Sequence, residues 1–331
     1  MAVTMNKVMQ HTEADKCIES IRKIDFSTLG ISEYNCQYIE RLMPNLDYYF
    51  QIYAQSIKLL LKNKKPEGYI VDFGGGNGFL SLYLQQLGFQ VIYCDSNPLS
   101  VNTIQRIGLI LGQGPDIVIE GSSAELLAYC HQHNVVVDYL IATDLIEHVY
   151  DLNSFFADLQ GVNPALQMIF TTRANPCNPL KLNKLRKMMT DVEANFFFPM
   201  REEYIGKNYA NLKSDVIMEL ARRTRGRTYI DVNKAVDDYI NTGNFPNEIE
   251  RFNTCDPQSG NWVERILSLN EYRKVVEGNG FRVEFLKGFY NTNRRNPLLS
   301  FAVKFINCLI RYSGALGRVG APYIILRVKP N

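Results

Sequence analysis

Apolar positions recur at helical spacing through residues 13–65. ADKCIESIRKI and ISEYNCQYIERLM read as helices, and LDYYFQIYAQSIKLLLKNKK (46–65) carries a stripe of Tyr49, Ile52, Tyr53, Ile57 and Leu60 that ends in lysines. Gly68 breaks the pattern. From there short apolar runs alternate with helical stretches. YIVDF (69–73), QVIYCD (90–95), DIVIEG (116–121), VVDYLIAT (136–143) and LQMIFTT (166–172) read as strands. FLSLYLQQLG, PLSVNTIQRIGLIL with Pro98 in its first turn, SAELLAYCHQH and LNSFFADLQG read as the helices between them. That βαβαβαβαβ order implies right-handed crossovers and a doubly wound α/β sheet, mostly parallel, with its ligand edge at the carboxyl ends of the strands.

The rhythm stops after Thr172. Residues 174–262 hold NPCNPLKLNKLRKMM, the run Phe196-Phe197-Phe198-Pro199, a helical stretch near 211–224 and the polar turn DPQSGNW (256–262). They read as a mostly helical insert over the ligand edge. NEYRKVVEGNG (270–280) is then a helix, and FRVEFLKGFY (281–290) and APYIILRVK (321–329) are two strands expected to pair antiparallel and close a seven-stranded sheet. The expected organisation is an N-terminal helical lid (1–65), a cofactor-binding core (66–173), a helical insert acting as acceptor lid (174–262) and a segment completing the sheet (263–331).

Composition narrows the class. With 46% apolar and 21% charged residues the 331-residue chain supports a packed core, which excludes a disordered protein. Its seven cysteines form no CxxC pair, against a disulfide framework or structural zinc site and for a reducing cytoplasm. MAVTMNKVMQHTEADK has no apolar stretch, so no secretory signal is expected, and no apolar run reaches the roughly 18 residues of a membrane span. The net charge of +2 hides an asymmetry: residues 1–170 hold 10 basic and 18 acidic residues, residues 171–331 hold 26 and 16. Different partners for the two halves, or simply uneven solvated charge, account for it.

The most informative stretch is Val71-Asp72-Phe73-Gly74-Gly75-Gly76-Asn77-Gly78, which leaves a strand and enters a helix. Glycines there let a ligand approach the backbone. Phe79 stands where a dinucleotide fingerprint needs its third glycine, which disfavours a dehydrogenase, and the phosphate-loop lysine is absent. Asp95 ends the second strand, where an acid can accept both hydroxyls of a ribose. Ser122 and Ser123 follow the third strand and Asp144 the fourth. Asp72 either fixes the loop's amides or lies near a cationic ligand. Carboxylates rather than basic residues along this edge suit a nucleoside bearing positive charge.

VDFGGGNG, the CD at 94–95 and DYLIATDLIEHV (138–149) resemble the first, second and fourth-strand motifs of the class I S-adenosylmethionine-dependent methyltransferases, whose core is Rossmann-like. DLIEHV is especially similar to the ubiquinone-biosynthesis-like branch of small-molecule O-methyltransferases. The resemblance covers 66–173 and 281–329, and implies S-adenosylmethionine as cofactor. By it, Gly74, Gly76 and Asp95 would hold methionine and ribose, Ser123 and Ala124 the adenine, and Asp144 would lie near the methionine part. Asp72, Gly75, Asn77, Ser96 and Leu145 complete the expected cofactor shell.

Methyl transfer is an in-line displacement that depends chiefly on alignment, and a hydroxyl acceptor also needs a base. Of four histidines only His148 follows a strand of the expected cleft, so it is the candidate base, oriented by Glu147, unless it merely packs and caps the next helix. Asp144, Glu147 and His148 at i, i+3 and i+4 have a spacing open to a metal. The insert has no His to complete a shell, and no metal ligand is assigned. Tyr48, Tyr53, Arg173, Arg201 and Tyr204 are the candidate acceptor residues, and with ARRTRGR (221–227) they point to an anionic acceptor. LLSFAVKFINCLI (298–310) bears a wide apolar stripe flanked by Arg294, Arg295, Lys304, Arg311 and Arg318. It either packs on the core or makes peripheral contact with the inner membrane face. Nucleic acid is disfavoured, because no RNA-binding module is present. The expected activity is O-methylation of a small or lipid-linked acceptor, with N-methylation or an inactive cofactor-binding subunit as alternatives and the oligomeric state unassigned.

Overall fold

The computed structural model describes residues 7–61, 67–293 and 296–331, with side chains from residue 12 onward. In chain order the elements are α1 (Lys7–Arg22), α2 (Glu33–Leu42), α3 (Leu46–Leu61), β1 (Tyr69–Phe73), α4 (Phe79–Gln86), β2 (Val91–Asp95), α5 (Pro98–Leu111), β3 (Ile117–Glu120), α6 (Ser123–His133), β4 (Val137–Thr143), α7 (Leu152–Val162) and β5 (Gln167–Thr172). Then follow α8 (Pro179–Val192), α9 (Phe198–Asn208), α10 (Ser214–Arg223), α11 (Tyr229–Thr242), α12 (Leu269–Gly278), β6 (Phe281–Lys287), α13 (Pro297–Tyr312) and β7 (Ile324–Pro330). The lysines expected to end the third helix, Lys62, Lys64 and Lys65, lie outside the described residues, as do Arg294 and Arg295.

The strands assemble in the order β3-β2-β1-β4-β5-β7-β6. β1 to β5 pair in parallel, and β7 enters antiparallel between β5 and β6. The sheet is therefore mostly parallel, with the expected antiparallel pair at its C-terminal end. The order reverses between β1 and β4, and a doubly wound sheet opens its ligand crevice at that point.

The pleat sends successive residues to opposite faces. Ile70, Val91 and Tyr93 join α1, α3, α4 and α5 in one core. Val71, Ile92 and Cys94 join α6, α7 and α12 in another. Covering both faces is what makes the strand segments read as unbroken apolar runs. β6 stops three residues short of the expected Tyr290, at a turn where a Cβ on Gly288 would come within 2.5 Å of the Tyr323 ring. Helices α8 to α11 and a bridge between Cys255 and Trp262 occupy the stretch between β5 and α12, and Ile205, Leu220, Val232 and Val236 form a small core of their own there. Among the described residues no helix is long and apolar enough to cross a membrane.

Candidate functional site

The loop between β1 and α4 is shaped by two different demands on glycine. A Cβ on Gly75 would sit 2.6 Å from the Tyr93 ring, so that position is closed by packing. Gly76 has φ +55° and nothing within 4 Å of where its Cβ would stand, so its side of the loop is open. Asp95 at the end of β2 clamps this turn. Its Oδ2 accepts the Gly76 N–H at 2.9 Å and its Oδ1 the Asn97 N–H at 2.8 Å, while the Tyr93 hydroxyl donates to the Gly76 carbonyl at 2.6 Å. A carboxylate has about four lone-pair sites, so these two bonds leave roughly two for further donors. Burial raises the Asp95 pKa, against the Asn97 and Gly76 amides, which favour the charged form.

Two neighbours carry unfinished hydrogen bonding. Asn77 is 4% exposed, and both atoms of its side-chain amide are buried without a partner. Asp72 Oδ2 accepts the Ser81 N–H and hydroxyl at 2.9 and 2.7 Å, whereas its Oδ1 is buried and unpartnered. Of the two roles open to Asp72, tethering the loop's amides is thus not the one found: it anchors the first turn of α4. Buried polar atoms rarely go unpaired, and a cluster of them at one corner marks a place for a ligand.

Burial also pushes the Asp72 carboxyl up to about 7. A carboxyl whose folded value lies above its unfolded one stabilises the fold below the unfolded value, and that contribution is lost as pH rises through the folded value. Stability is therefore expected to fall between about pH 4 and 7, by on the order of 1.4 kcal/mol per unit where the slope is steepest. Asp72→Asn keeps an acceptor for Ser81 and cannot ionise. Urea titrations at a series of pH values should show the variant gaining on the wild type as pH rises. Parallel curves would place the ionisation elsewhere.

Past β4 the chain turns through Asp144, at φ +51°, whose N–H donates to the Thr171 carbonyl at 2.9 Å. This left-handed backbone, tolerated by Asp, aims the carboxylate at Arg173 Nε, 2.8 Å away. Arg173 also donates to the Tyr49 hydroxyl at 3.1 Å. Tyr48 donates to the Phe289 carbonyl at 2.7 Å, its ring 6.1 Å from that of Tyr49. Tyr53 packs on Phe50 with ring centroids 5.5 Å apart, and burial pushes its hydroxyl well above the usual range. Helix α3 thus brings Tyr49, read from the sequence only as part of a stripe, to Arg173 with Tyr48 beside it, while Tyr53 lies one turn on against Phe50.

His148 Nδ1 lies 2.7 Å from the Trp262 carbonyl. A carbonyl only accepts, so Nδ1 is the donor, and this tautomer of the neutral ring leaves the lone pair on Nε2. The segment before α12 supports this pairing: Trp262 N–H donates to the His148 carbonyl at 3.3 Å and Arg265 N–H to the Glu147 carbonyl at 2.9 Å. The expectation that Glu147 orients His148 is corrected. Glu147 is 1% exposed and turns the other way, with Oε1 accepting the Arg173 N–H at 3.2 Å. Burial, then Asp144 and Glu264, hold its pKa well above the usual range. Asp144, Glu147 and His148 lie on a turn, where Arg173 engages both carboxylates and Trp262 the imidazole, and no metal-holding group of three or more His, Cys, Asp or Glu occurs among the described residues.

Three further expectations are corrected. The Ser123 hydroxyl donates to Asp158 at 2.6 Å, and Ala124 N–H donates to Ser122 Oγ at 3.2 Å within a capping box closed by Glu125. The Ala124 N–H thus closes the first turn of α6 and the Ser123 hydroxyl ties α6 to α7, so both are engaged within the fold rather than turned to an adenine. Arg201 is fully buried against Glu193, and Tyr204 stacks on Tyr229 at 3.9 Å. Both belong to the interior of the α8–α11 segment, away from Asp144. Ser96 is exposed beside Asp95, and Leu145 covers Gly74, whose Cβ would meet it at 2.5 Å.

No family model matches the chain, and no curated protein matches it. Among solved structures it is similar to a SAM-dependent methyltransferase from Archaeoglobus fulgidus, at 11% identity and TM-score 0.40 over 85% of this chain and 93% of that one. A protein from Pyrococcus horikoshii OT3 aligns at 22% identity and TM-score 0.32, over 52% of this chain and 71% of that one. A structure described for the conversion of a disulfide bond into a thioacetal group during echinomycin biosynthesis aligns at 20% identity and TM-score 0.30 over 36% of this chain. This chain spans about half of its length, 49%.

Proposed function

We propose that this chain is an S-adenosylmethionine-dependent methyltransferase acting on the oxygen of a small or lipid-linked anionic acceptor. The observation that carries the reading is the corner after β1. There an open glycine, an unpartnered buried amide and a carboxylate with spare lone pairs meet on an edge of carboxylates at the reversal of strand order. These residues fit the cofactor: Asp95 for the ribose hydroxyls, Gly76 and Asn77 for the methionine part, and Asp72 and Asp144 for its positive charge. Bound there, the cofactor supplies a methyl group on a cationic sulfur. His148 Nε2 takes the acceptor's proton, with the ring held by the Trp262 carbonyl. Arg173, steadied by Asp144 and Tyr49, offers its remaining N–H donors to an anionic group, and Tyr48 and Tyr53 wall the space against water.

Two adjoining grooves of about 610 and 770 Å³ support the lipid-linked acceptor. They share Gln55, Lys58, Phe289 and Arg311. Phe289 links this lining to the site through Tyr48, at a ring distance of 5.6 Å. Lys58 and Arg311 where the grooves meet suit an anionic head, and the apolar walls suit an acyl or prenyl tail, with Asp15 and Asp47 also lining the larger groove.

Calorimetry with S-adenosylhomocysteine and NAD side by side tests the cofactor assignment, with binding expected for the first alone. Gly76→Asn sharpens it, because Asn tolerates the left-handed backbone yet fills the open side of the loop. Affinity for S-adenosylhomocysteine should fall about 10–100-fold, or about 1.4–2.7 kcal/mol, with melting little changed. Undiminished affinity in the variant would move the cofactor away from this loop.

A further inference from the structure

Helix α13 is attached to the body by its polar side and shows its apolar side to solvent. Asn307 holds the Tyr290 backbone in both directions, accepting from its N–H and donating to its carbonyl, each at 2.8 Å. Ser300 donates to the Thr292 carbonyl at 2.7 Å, and Ile310 is the helix's one buried residue. At 100° per residue Leu298, Phe301, Phe305, Leu309 and Tyr312 share the opposite face, and they are 80, 72, 58, 53 and 74% exposed. Leu316 and Val319 extend the patch beyond the helix. A helix in an ordinary globular protein is built the other way round, and an apolar surface this continuous marks a contact.

Charge selects the occupant. From Phe285 to the last residue the sequence has no Asp or Glu, while the exposed Lys304 borders the apolar face and the exposed Arg311 stands further round the helix. Lys287 donates to the Arg311 and Gly314 carbonyls at 2.9 and 3.1 Å, placing another cation at the helix's end. Arg318 turns inward to the Phe285 carbonyl, so the exposed Lys304 and Arg311 are decisive: a two-fold contact between copies brings like charges together, whereas an anionic bilayer pairs with them. The helix is 16 residues, or about 24 Å, too short to span but suited to lying in the interface with aromatic and leucine side chains down.

We infer that α13 and the turn after it form a docking surface for an anionic lipid bilayer. The surface is separate from the Asp95 corner, and it stands or falls independently of the cofactor. The test is co-sedimentation of the full chain with vesicles of phosphatidylcholine alone and of phosphatidylcholine mixed equally with phosphatidylglycerol. Binding to the mixed vesicles is expected, weakening with salt. Phe301→Ser with Phe305→Ser should lower it about ten-fold or more, because the two rings are the bulkiest apolar groups of the exposed face and enter the bilayer only in part. Lys304→Glu should lower it less, and only on the anionic vesicles. Both rings are exposed, so circular dichroism and melting should be unchanged in the variants. A wild type that stays in the supernatant with both vesicles overturns the inference. So does equal binding to both compositions, or a dimer in sedimentation velocity that the double serine variant abolishes while vesicles are ignored.

Discussion

Replacing His148 by Asn is expected to lower the rate of methyl transfer about 10²–10⁴-fold, the usual contribution of a positioned base, with S-adenosylhomocysteine affinity unchanged. The substitution is chosen for what it keeps. An Asn amide nitrogen falls close to where Nδ1 stood and can still donate to the Trp262 carbonyl, whose hydrogen bond with His148 ties the β4–α7 turn to the segment before α12. What it removes is Nε2, the ring's one free lone pair. Melting should therefore hold while turnover collapses. The readout is label carried from methyl-labelled S-adenosylmethionine into whatever compound of a combined metabolite and lipid extract the wild type marks. Full labelling by the variant would reduce His148 to a packing residue. An acceptor that is a neutral amine would give the same result, because it needs no strong base.

The fold was legible from residue 69 to 172 because a parallel sheet buried on both faces leaves each strand as a short apolar run between turn residues. The loop at 74–78 was legible for a similar reason: close packing against Tyr93 and the left-handed turn at Gly76 both require glycine, and glycine is visible in a sequence. Asp95 was recoverable from its place at a strand end. Long-range partners leave no such trace. Nothing near Tyr49 announces that α3 carries it to Arg173, or that the end of the insert returns Trp262 to His148. The assignment of Ser123 and Ala124 to adenine could have been checked locally, because Ser122 followed three residues later by Glu125 is a capping-box pattern. For α13 the stripe was evident but not its direction, since a stripe has the same spacing whether it meets a core or solvent.

Replacing Arg201 by Met is expected to destabilise the chain by about 3–5 kcal/mol, the range for stripping one partner from a buried ion pair. Arginine in a segment expected to cover the ligand edge suggested a hand for an anionic acceptor, but its surroundings assign it otherwise. Its guanidinium pairs with both oxygens of Glu193 and donates through Nε to the Ala221 carbonyl at 3.1 Å, while Glu193 Oε2 also accepts from Thr254 at 2.6 Å. A π-helical turn over Glu193–Phe197, followed by Pro199, which cannot continue the backbone ladder, sets the alignment. Eight residues separate the pair, and the one extra residue in the widened turn brings them near the seven-residue spacing that repeats a helix face. The pair thus locks α8 to α9 and both to α10 and the 254 segment. Without Arg201, Glu193 is left charged, 8% exposed and short of donors. Adding Glu193→Leu removes that charge, so the double variant should recover much of the loss in urea titrations. An acceptor-binding Arg201 predicts the opposite pattern: a raised KM for acceptor with stability intact, and no rescue from Glu193→Leu.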